Sequence, residues 1–286
     1  MPQDKQPMVP TSKALQQWLD VAGDLVSRIG CDDFLARFSA AMAQILAFEF
    51  LIVFLYRPDA APALLHDSIC VARHRKGLKN YLRNTYVLNP FYQAVRKNPE
   101  PGIYFMKDFM PDEYSLESRH QEFPVSLDSF EEIGFLTNDW PSGMQELLIV
   151  MPLNESALIE VSLSKKEAGG GFSEYEAETL KTLFPILYAL FRKHWEYAAH
   201  RLAPELEEPL LERLFHQFGQ GVLSEREREV VRMILLGHSS TSIALNLDVA
   251  LPTVKSHRRN AYAKLGISSQ AELFTRYMDS VHQTRG

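Results

Sequence analysis

The chain has 286 residues, 46% of them hydrophobic and 23% charged, with a formal net charge of −6. That length suits about two domains, with enough apolar content to bury a core without disulfide or metal staples. Its two cysteines, Cys31 and Cys70, are too few for a disulfide framework and wrongly spaced for a zinc motif, so no metal or other cofactor is expected and a reducing compartment is. The opening MPQDKQPMVPTSKALQQW lacks the apolar core of a signal peptide. No stretch approaches the ~20 apolar residues needed to cross a bilayer. The expected location is the cytoplasm, with no membrane partner.

Residues 12–47 carry apolar side chains at three-to-four spacing and predict two helices, separated at Gly30. FEFLIVFLYR (48–57) is short, β-branched and aromatic, which predicts a strand, and PDAAP after it predicts a turn. LLHDSICVA (64–72) reads as a second strand and NPFYQAVRKNP (89–99) as a short helix closed by Pro99. Residues 100–128 show no usable period. Three further segments, 129–138, 145–153 and 157–165, predict antiparallel strands joined by turns rich in Gly, Asn, Pro and Ser. The period then changes. Ser173 and Glu176 form an S-x-x-E capping pattern that opens a helix running to about Leu202, with Pro185 as an internal interruption. Phe184, Leu187, Tyr188, Phe191 and Trp195 share one side of it, as core or as a dimer seam. APELEEPLLERLFHQFGQG (203–221) begins acidic, holds two prolines and reads as a linker.

Charge is divided unevenly. Residues 221–286 hold nine Lys and Arg against six Asp and Glu, and no acid falls between Asp248 and Glu272. The other 220 residues hold 21 basic and 30 acidic side chains. A small basic unit suited to a polyanion follows a larger acidic unit. Ser224 and Glu227 make another capping pattern, opening a helix with Val230, Val231, Ile234 and Leu235 on its apolar face, stopped by Gly237. Residues 239–247 predict a helix of about two turns with Ile243, Ala244 and Leu247 inward. Pro252 sits in the first turn of a third helix, where its missing N–H costs little. On a helical wheel Val254, Ala261 and Leu265 face the core. Lys255, Ser256, Arg259 and Ala263 occupy the opposite arc, with Asn260 at its edge. Arg or Lys can bond guanine O6 and N7, and Ser can bond several base edges. A short helix, a tight turn and a basic second helix make a helix-turn-helix.

The stretch 223–273 resembles the DNA-binding domain of LuxR-type transcription regulators. The match is carried by Leu223-Ser224, Arg226-Glu227, Glu229-Val230, Gly237, Ser239, Ile243-Ala244, Leu247, Thr253-Val254-Lys255, His257, Asn260, Lys264-Leu265-Gly266 and Ser269. The resemblance implies a four-helix domain, dimeric binding to a palindromic site, base contacts from Lys255, Ser256 and Arg259, and phosphate contacts near Thr253, Ser268 and Ser269. Arg258 joins this DNA-contacting set. His257 is expected as a packed residue. Two positions depart from the family pattern. Ser242 replaces the usual Glu before the Ile-Ala pair, and Ala250 stands where a capping Ser is common, a loss of about 1 kcal/mol.

Upstream, YLRNTYVLNPFYQAV, GIYFMKDFMPDEY, EEIGFLTND, FSEYEAETL and LFRKHW resemble the GAF-related sensor of LuxR subfamilies with an N-terminal ligand domain. The acyl-homoserine-lactone branch carries an Asp-Pro and a later Trp. Here Asn89-Pro90 and Tyr104 stand at those places, so the resemblance implies a different small molecule. Ligand candidates are Tyr81, Tyr86, Asn89, Phe91, Tyr92, Tyr104 and Phe105, aromatic walls with a few polar tips. KDFMPDE (107–113) does not fit a phosphoacceptor domain, because Asp108 is too far along the chain and no early acidic pair precedes it. No Gly-rich phosphate loop, H-E-x-x-H or G-x-S-x-G supports an enzyme, and Cys70 with His66 or His74 offers only a spacing.

The expected fold class is α+β: an N-terminal α-β-α sandwich on an antiparallel sheet (1–202), a linker (203–221) and an all-α helix-turn-helix domain (222–286). The expected function is a ligand-responsive, DNA-binding homodimer, with double-stranded DNA and a small-molecule effector as partners and RNA polymerase as a further candidate. The alternatives are a lactone quorum-sensing receptor of the same architecture and a protein-interaction regulator with an unliganded sensor.

Overall fold

The structure is a computed structural model that describes residues 12–57, 60–95, 97, 99–110, 143–154, 157–202 and 210–285. The expected strand at 129–138 lies outside the described residues. The chain divides into two compact units. The first combines residues 1–72, 98–108 and 143–206, and the second combines 73–97, 109–142 and 207–286.

In the first unit, helices α1 (Ser12–Ser27) and α2 (Phe34–Ile45) precede strands β1 (Phe50–Arg57) and β2 (Ala60–Asp67). β3 (Gly102–Phe105), β4 (Met144–Asn154) and β5 (Ala157–Lys166) follow, then α5 (Glu174–Leu202). Between β2 and β3 the chain forms helices α3 (Ala72–Asn80) and α4 (Pro90–Val95). The strands form one antiparallel sheet in the order β2-β1-β5-β4-β3. Because strand side chains alternate, Leu51, Val53 and Leu55 of β1 share a face with Leu147, Ile149 and Met151 of β4 and Ala157, Ile159, Val161 and Leu163 of β5. Trp18, Val21 and Leu25 of α1, Phe34, Phe38 and Met42 of α2, and Leu180, Leu183, Leu187 and Phe191 of α5 pack on that face. Each large side chain so removed from water contributes roughly 1.5–3 kcal/mol. Phe184, Tyr188 and Trp195 are partly buried against this same core, so the aromatic stripe of α5 packs inward.

The turn between α1 and α2 is tied down twice. Gly30 adopts φ +82°, a conformation that glycine reaches without strain. Its N–H donates to Nδ1 of His194 at 3.0 Å, and the His194 ring stacks on Phe34 at 4.1 Å. At the start of α5 the expected capping box is present. Ser173 N–H donates to the Glu176 carboxylate at 2.8 Å and Glu176 N–H donates to Ser173 Oγ at 3.2 Å. A Lys165–Glu176 ion pair at 2.7 Å joins that terminus to β5. α5 continues through Pro185.

The second hairpin strand differs from the reading of 64–72. β2 begins at Ala60, paired with Arg57, and ends at Asp67. The alanines have little strand preference of their own, and pairing with the β-branched, aromatic β1 overrides it.

The second unit holds α3 (Ala72–Asn80), a π-helical turn (Tyr81–Thr85), a tight 3₁₀ turn (Tyr86–Leu88) and α4 (Pro90–Val95). It also holds α6 (Leu210–Gln217), α7 (Glu225–Leu235), α8 (Ser240–Leu247), α9 (Leu251–Leu265) and α10 (Gln270–Arg285). Within the stretch read as linker, α6 is an ordered helix. Phe215 and Phe218 both meet Tyr277 of α10 edge-on, at 5.8 and 5.4 Å between ring centres. Tyr277 and Phe215 are buried, so α6 extends the core of the C-terminal helices. The mixed α+β class expected from the sequence holds: a five-stranded antiparallel sheet with helices, followed by a helical C-terminal region.

Candidate nucleic-acid interface and sensor residues

α7 starts at a complete capping box, with Ser224 and Glu227 bonding each other's backbone N–H. Glu227 does more than cap. Its carboxylate takes two bonds from Lys264 Nζ of α9, at 2.7 and 2.9 Å. The Lys264 ammonium, followed by the Ser224 N–H, holds the Glu227 carboxyl below the usual carboxylate range. One basic residue of α9 is therefore spent on fixing α9 to α7, which the sequence pattern does not separate from the DNA-facing set.

α8 is capped by Ser239, whose Oγ accepts from Ser242 N–H at 2.9 Å. Ile243 and Ala244 are buried as expected, while Leu247 is half-buried. Ser242 sits 2.9 Å from His238 Nδ1. The turn passes through Asp248 in the left-handed region at φ 52°, which Asp tolerates better than most residues. α9 opens at Ala250 without a side-chain cap, with Pro252 in its first turn. Val254 and Ala261 are fully buried, Tyr262 is buried and Leu265 is half-buried.

The opposite face of α9 is free. Thr253, Lys255, Arg259, Asn260 and Ala263 are exposed, and Ser256, His257 and Arg258 are intermediate. Arg258 lies over the Tyr262 ring at 5.3 Å, a cation–π contact. It stands apart from Lys255 and Arg259 in having this intramolecular partner. Ser268 and Ser269 lie at the start of α10. Ser269 Oγ accepts from Glu272 N–H at 3.1 Å, and the Glu272 carboxylate accepts from Ser268 N–H at 2.6 Å and from Ser268 Oγ. These bonds, the Ser268 N–H foremost, hold the Glu272 carboxyl below its ordinary range. The terminus has donors for a phosphate, yet it already carries one carboxylate that a phosphate would have to share it with.

The sensor candidates fall into two groups. Tyr81, Tyr86, Asn89, Phe91 and Tyr92 are all buried in the second unit. Tyr86 meets Tyr92 edge-on at 4.9 Å, and Phe91 meets Phe109 at 5.1 Å. Asn89 Oδ1 accepts from Phe91 N–H at 2.7 Å and Tyr92 N–H at 3.4 Å. It thus caps α4 and satisfies donors that a helix start leaves open. The π-turn beside it is a rare geometry enriched at functional sites, and the buried Thr85 hydroxyl has no hydrogen-bond partner among the described residues. Tyr104 and Phe105 belong to β3 in the first unit and point to opposite faces. Phe105 packs on the helix-covered core, and Tyr104 lies on the other face, its hydroxyl donating to Glu100 O at 3.0 Å. Cys70 is exposed, and burial lowers the His66 pKa.

That second sheet face carries polar residues the sequence reading passed over. Phe50, Ile52, Phe54 and Tyr56 of β1 align with Ser164, Ser162, Glu160 and Leu158 of β5. Glu146, Leu148 and Val150 of β4 align with Ser164, Ser162 and Glu160. Glu160 is 2% exposed and Glu146 is 8% exposed. Burial pushes the Glu160 carboxyl up to about 8, helped by the nearby Glu146 charge and opposed by a hydrogen bond from Tyr56. Burial likewise pushes Glu146 up to about 7. The Ser162 and Ser164 hydroxyls are buried and have no hydrogen-bond partner among the described residues. The signal was present in ALIEVSLSK, where Glu, Ser and Ser recur at every second position of a strand, but a polar strand face normally means a solvated one.

A capped short helix, a left-handed turn and a second helix with one buried and one free basic face define a helix-turn-helix domain. Residues 221–277 match the family described as "Bacterial regulatory proteins, luxR family". The C-terminal domain belongs to that family. An HTH-type transcriptional regulator of Aeromonas salmonicida, from the exeN 3′ region, is 24% identical over 198 residues, covering 67% of this chain and 93% of its own length. The monoamine regulon transcriptional regulator of Klebsiella aerogenes is 41% identical over 64 residues, and the match spans 22% of this chain and 28% of that one. Among solved structures, the VqsR ligand-binding domain from Pseudomonas aeruginosa covers 63% of this chain and 97% of its own at 17% identity and a TM-score of 0.46. Among the described residues no helix is long and apolar enough to cross a membrane, and no cluster of His, Cys, Asp and Glu could hold a metal ion.

Proposed function

We propose that this chain is a ligand-responsive transcription regulator that binds palindromic operator DNA as a dimer. In this reading residues 1–202 sense, 203–221 connect and 222–286 read DNA. Its partners are double-stranded DNA, a small-molecule effector, a second copy of the chain and RNA polymerase, and its workplace is the bacterial cytoplasm. The observation that carries the reading is the free face of α9, where Lys255 and Arg259 are exposed opposite the buried Val254 and Ala261. Long cationic side chains on a helix held from behind can enter the major groove and bond guanine edges. Thr253 and the start of α10 at Ser268 and Ser269 would meet phosphates, which orient the helix without reading sequence. Two such helices related by a dyad reach half-sites about 34–36 Å apart, one turn of DNA. Footprinting on host DNA tests this: an inverted repeat with half-site centres about one turn apart is expected. A single unrepeated half-site as the minimal strong operator would refute the dimeric reading.

The effector is proposed not to be an acyl-homoserine lactone. Asn89 stands where that branch has an aspartate, and its Oδ1 already accepts two backbone N–H groups. An amide oxygen so engaged is a poor acceptor for a ligand amide, and an unmatched buried polar group costs ~1–3 kcal/mol. Thermal unfolding with a series of acyl lactones should show little stabilisation. A clear rise in Tm at micromolar lactone would overturn this specificity.

A further inference from the structure

We propose that the second face of the sheet recognises a linear polyamine, with Glu160 and Glu146 taking its two cationic ends and Ser162 and Ser164 bonding N–H groups along it. The inference rests on the reading of residues 1–202 as a sensor and assigns the chemistry of its effector.

The strip runs along β5. Glu160, Ser162 and Ser164 are alternate residues of one strand, and Glu146 of β4 lies directly across from Ser164. Four residue steps of strand lead from Glu160 to Ser164, about 13 Å at ~3.3 Å per residue. Glu160 therefore stands at one end of the strip, Ser162 in its middle, and Ser164 side by side with Glu146 at the other end. Ile52 and Phe54 border it on one side, and Leu148 and Val150 on the other. Aliphatic chain between amino groups matches those borders, and amino groups match the acceptors.

The energetics favour the same class. A carboxylate in an apolar setting loses its hydration. A buried hydroxyl without a partner forgoes a hydrogen bond the fold could have supplied. Here two carboxyls are buried on one face beside two hydroxyls that have no partner among the described residues, while Lys165, the next residue along, is committed to Glu176 on the other side. Tyr56 donates to Glu160, and among the described residues the Ser162 and Ser164 hydroxyls meet no donor or acceptor. A site short of donors selects a ligand rich in them. A neutral diol brings donors without charge, and a fatty acid brings a third carboxylate. The acid excess of the chain outside its DNA-reading end adds a general attraction for cations.

The test is isothermal titration calorimetry on the full chain without DNA, using spermidine, butylamine and hexanediol. Spermidine is expected to bind roughly tenfold or more tightly than butylamine, since each additional charge-assisted bond is worth at least that factor, and hexanediol is expected to show no heat of binding. Glu160→Gln and Glu146→Gln, each near-isosteric, should each bring spermidine down to the butylamine level. Folding of the variants is checked by circular dichroism, and the three-ligand comparison on the unaltered chain stands without them. Hexanediol binding as tightly as spermidine, an absence of amine binding, or a spermidine preference that survives both substitutions would overturn the assignment. Failure of the wider reading looks different. If spermidine binds but no host-derived small molecule alters operator affinity, the regulatory reading falls and the site stands. If another effector alters operator affinity while no amine binds, the site falls and the reading stands.

Discussion

Replacing Glu160 by Gln should make the protein more stable, and more so as pH rises. The carboxyl sits at about 8 in the folded chain against an ordinary 4.5. Each tenfold change in proton affinity is worth about 1.4 kcal/mol, so ionising Glu160 in the fold costs on the order of 5 kcal/mol as an upper figure. The folded state binds more protons than the unfolded chain between those two values. Stability is therefore lost as pH climbs from about 4.5 to about 8. Glu146, raised to about 7, adds a loss of the same sign. Gln keeps an oxygen for the Tyr56 hydroxyl and cannot ionise. Removing the Glu160 charge also relieves Glu146. Urea unfolding of both proteins across that pH range gives the difference directly. The variant is expected to match the parent near pH 4.5 and to exceed it by roughly 2–5 kcal/mol above pH 8. Parallel pH profiles, or a gap that closes as pH rises, would refute the burial argument.

Gly30→Ala should cost about 1–2 kcal/mol, because an L side chain at φ +82° is strained and its Cβ would lie 3.0 Å from Tyr197 Cβ; the loss of unfolding midpoint in urea reads it. Asn89→Ala should remove a helix cap worth about 1 kcal/mol, so a blunted effector response in this variant counts against the capping role only if its urea midpoint is unchanged. Acid should loosen the α7–α9 junction, since the lowered Glu227 pKa gives stability that is present above the unfolded value and lost as pH falls through the folded one. Lys264→Met should reduce that acid dependence, leaving the part due to the Ser224 N–H, which amide exchange of α9 against pH would follow.

The helix-turn-helix was legible because its rules are local. Capping residues at Ser224 and Ser239, Gly237 and Gly266 at helix ends, and Val254 and Ala261 seven apart all sit within a few residues of what they determine. The strand segments at 50–57, 144–154 and 157–166 were legible for the same reason. What escaped was set by distant partners. α3 and the π-turn, in ARHRKGLKNYLRNT, have little apolar periodicity, and residues 60–63 become strand only by pairing with β1. The bonds by which Asn89 caps α4 also escaped, because they depend on where that helix begins. The acidic strip of β4 and β5 needed strand register before Glu146, Glu160, Ser162 and Ser164 could be seen on one face. Likewise only the fold distinguishes Lys264, bound to Glu227, from Lys255, which faces outward.

The measurement that bears most directly on the central claim is operator binding by fluorescence anisotropy, with Arg259→Ala and Ser269→Ala beside the unaltered chain, on an operator and on single-base variants of it. Arg259→Ala should lose ~1–3 kcal/mol and the ability to distinguish the base it contacts. Ser269→Ala should weaken every sequence by a similar factor, since a phosphate contact carries no base identity. An Arg259→Ala protein that binds its operator as tightly and as selectively as the parent would show that the free face of α9 is not what reads DNA.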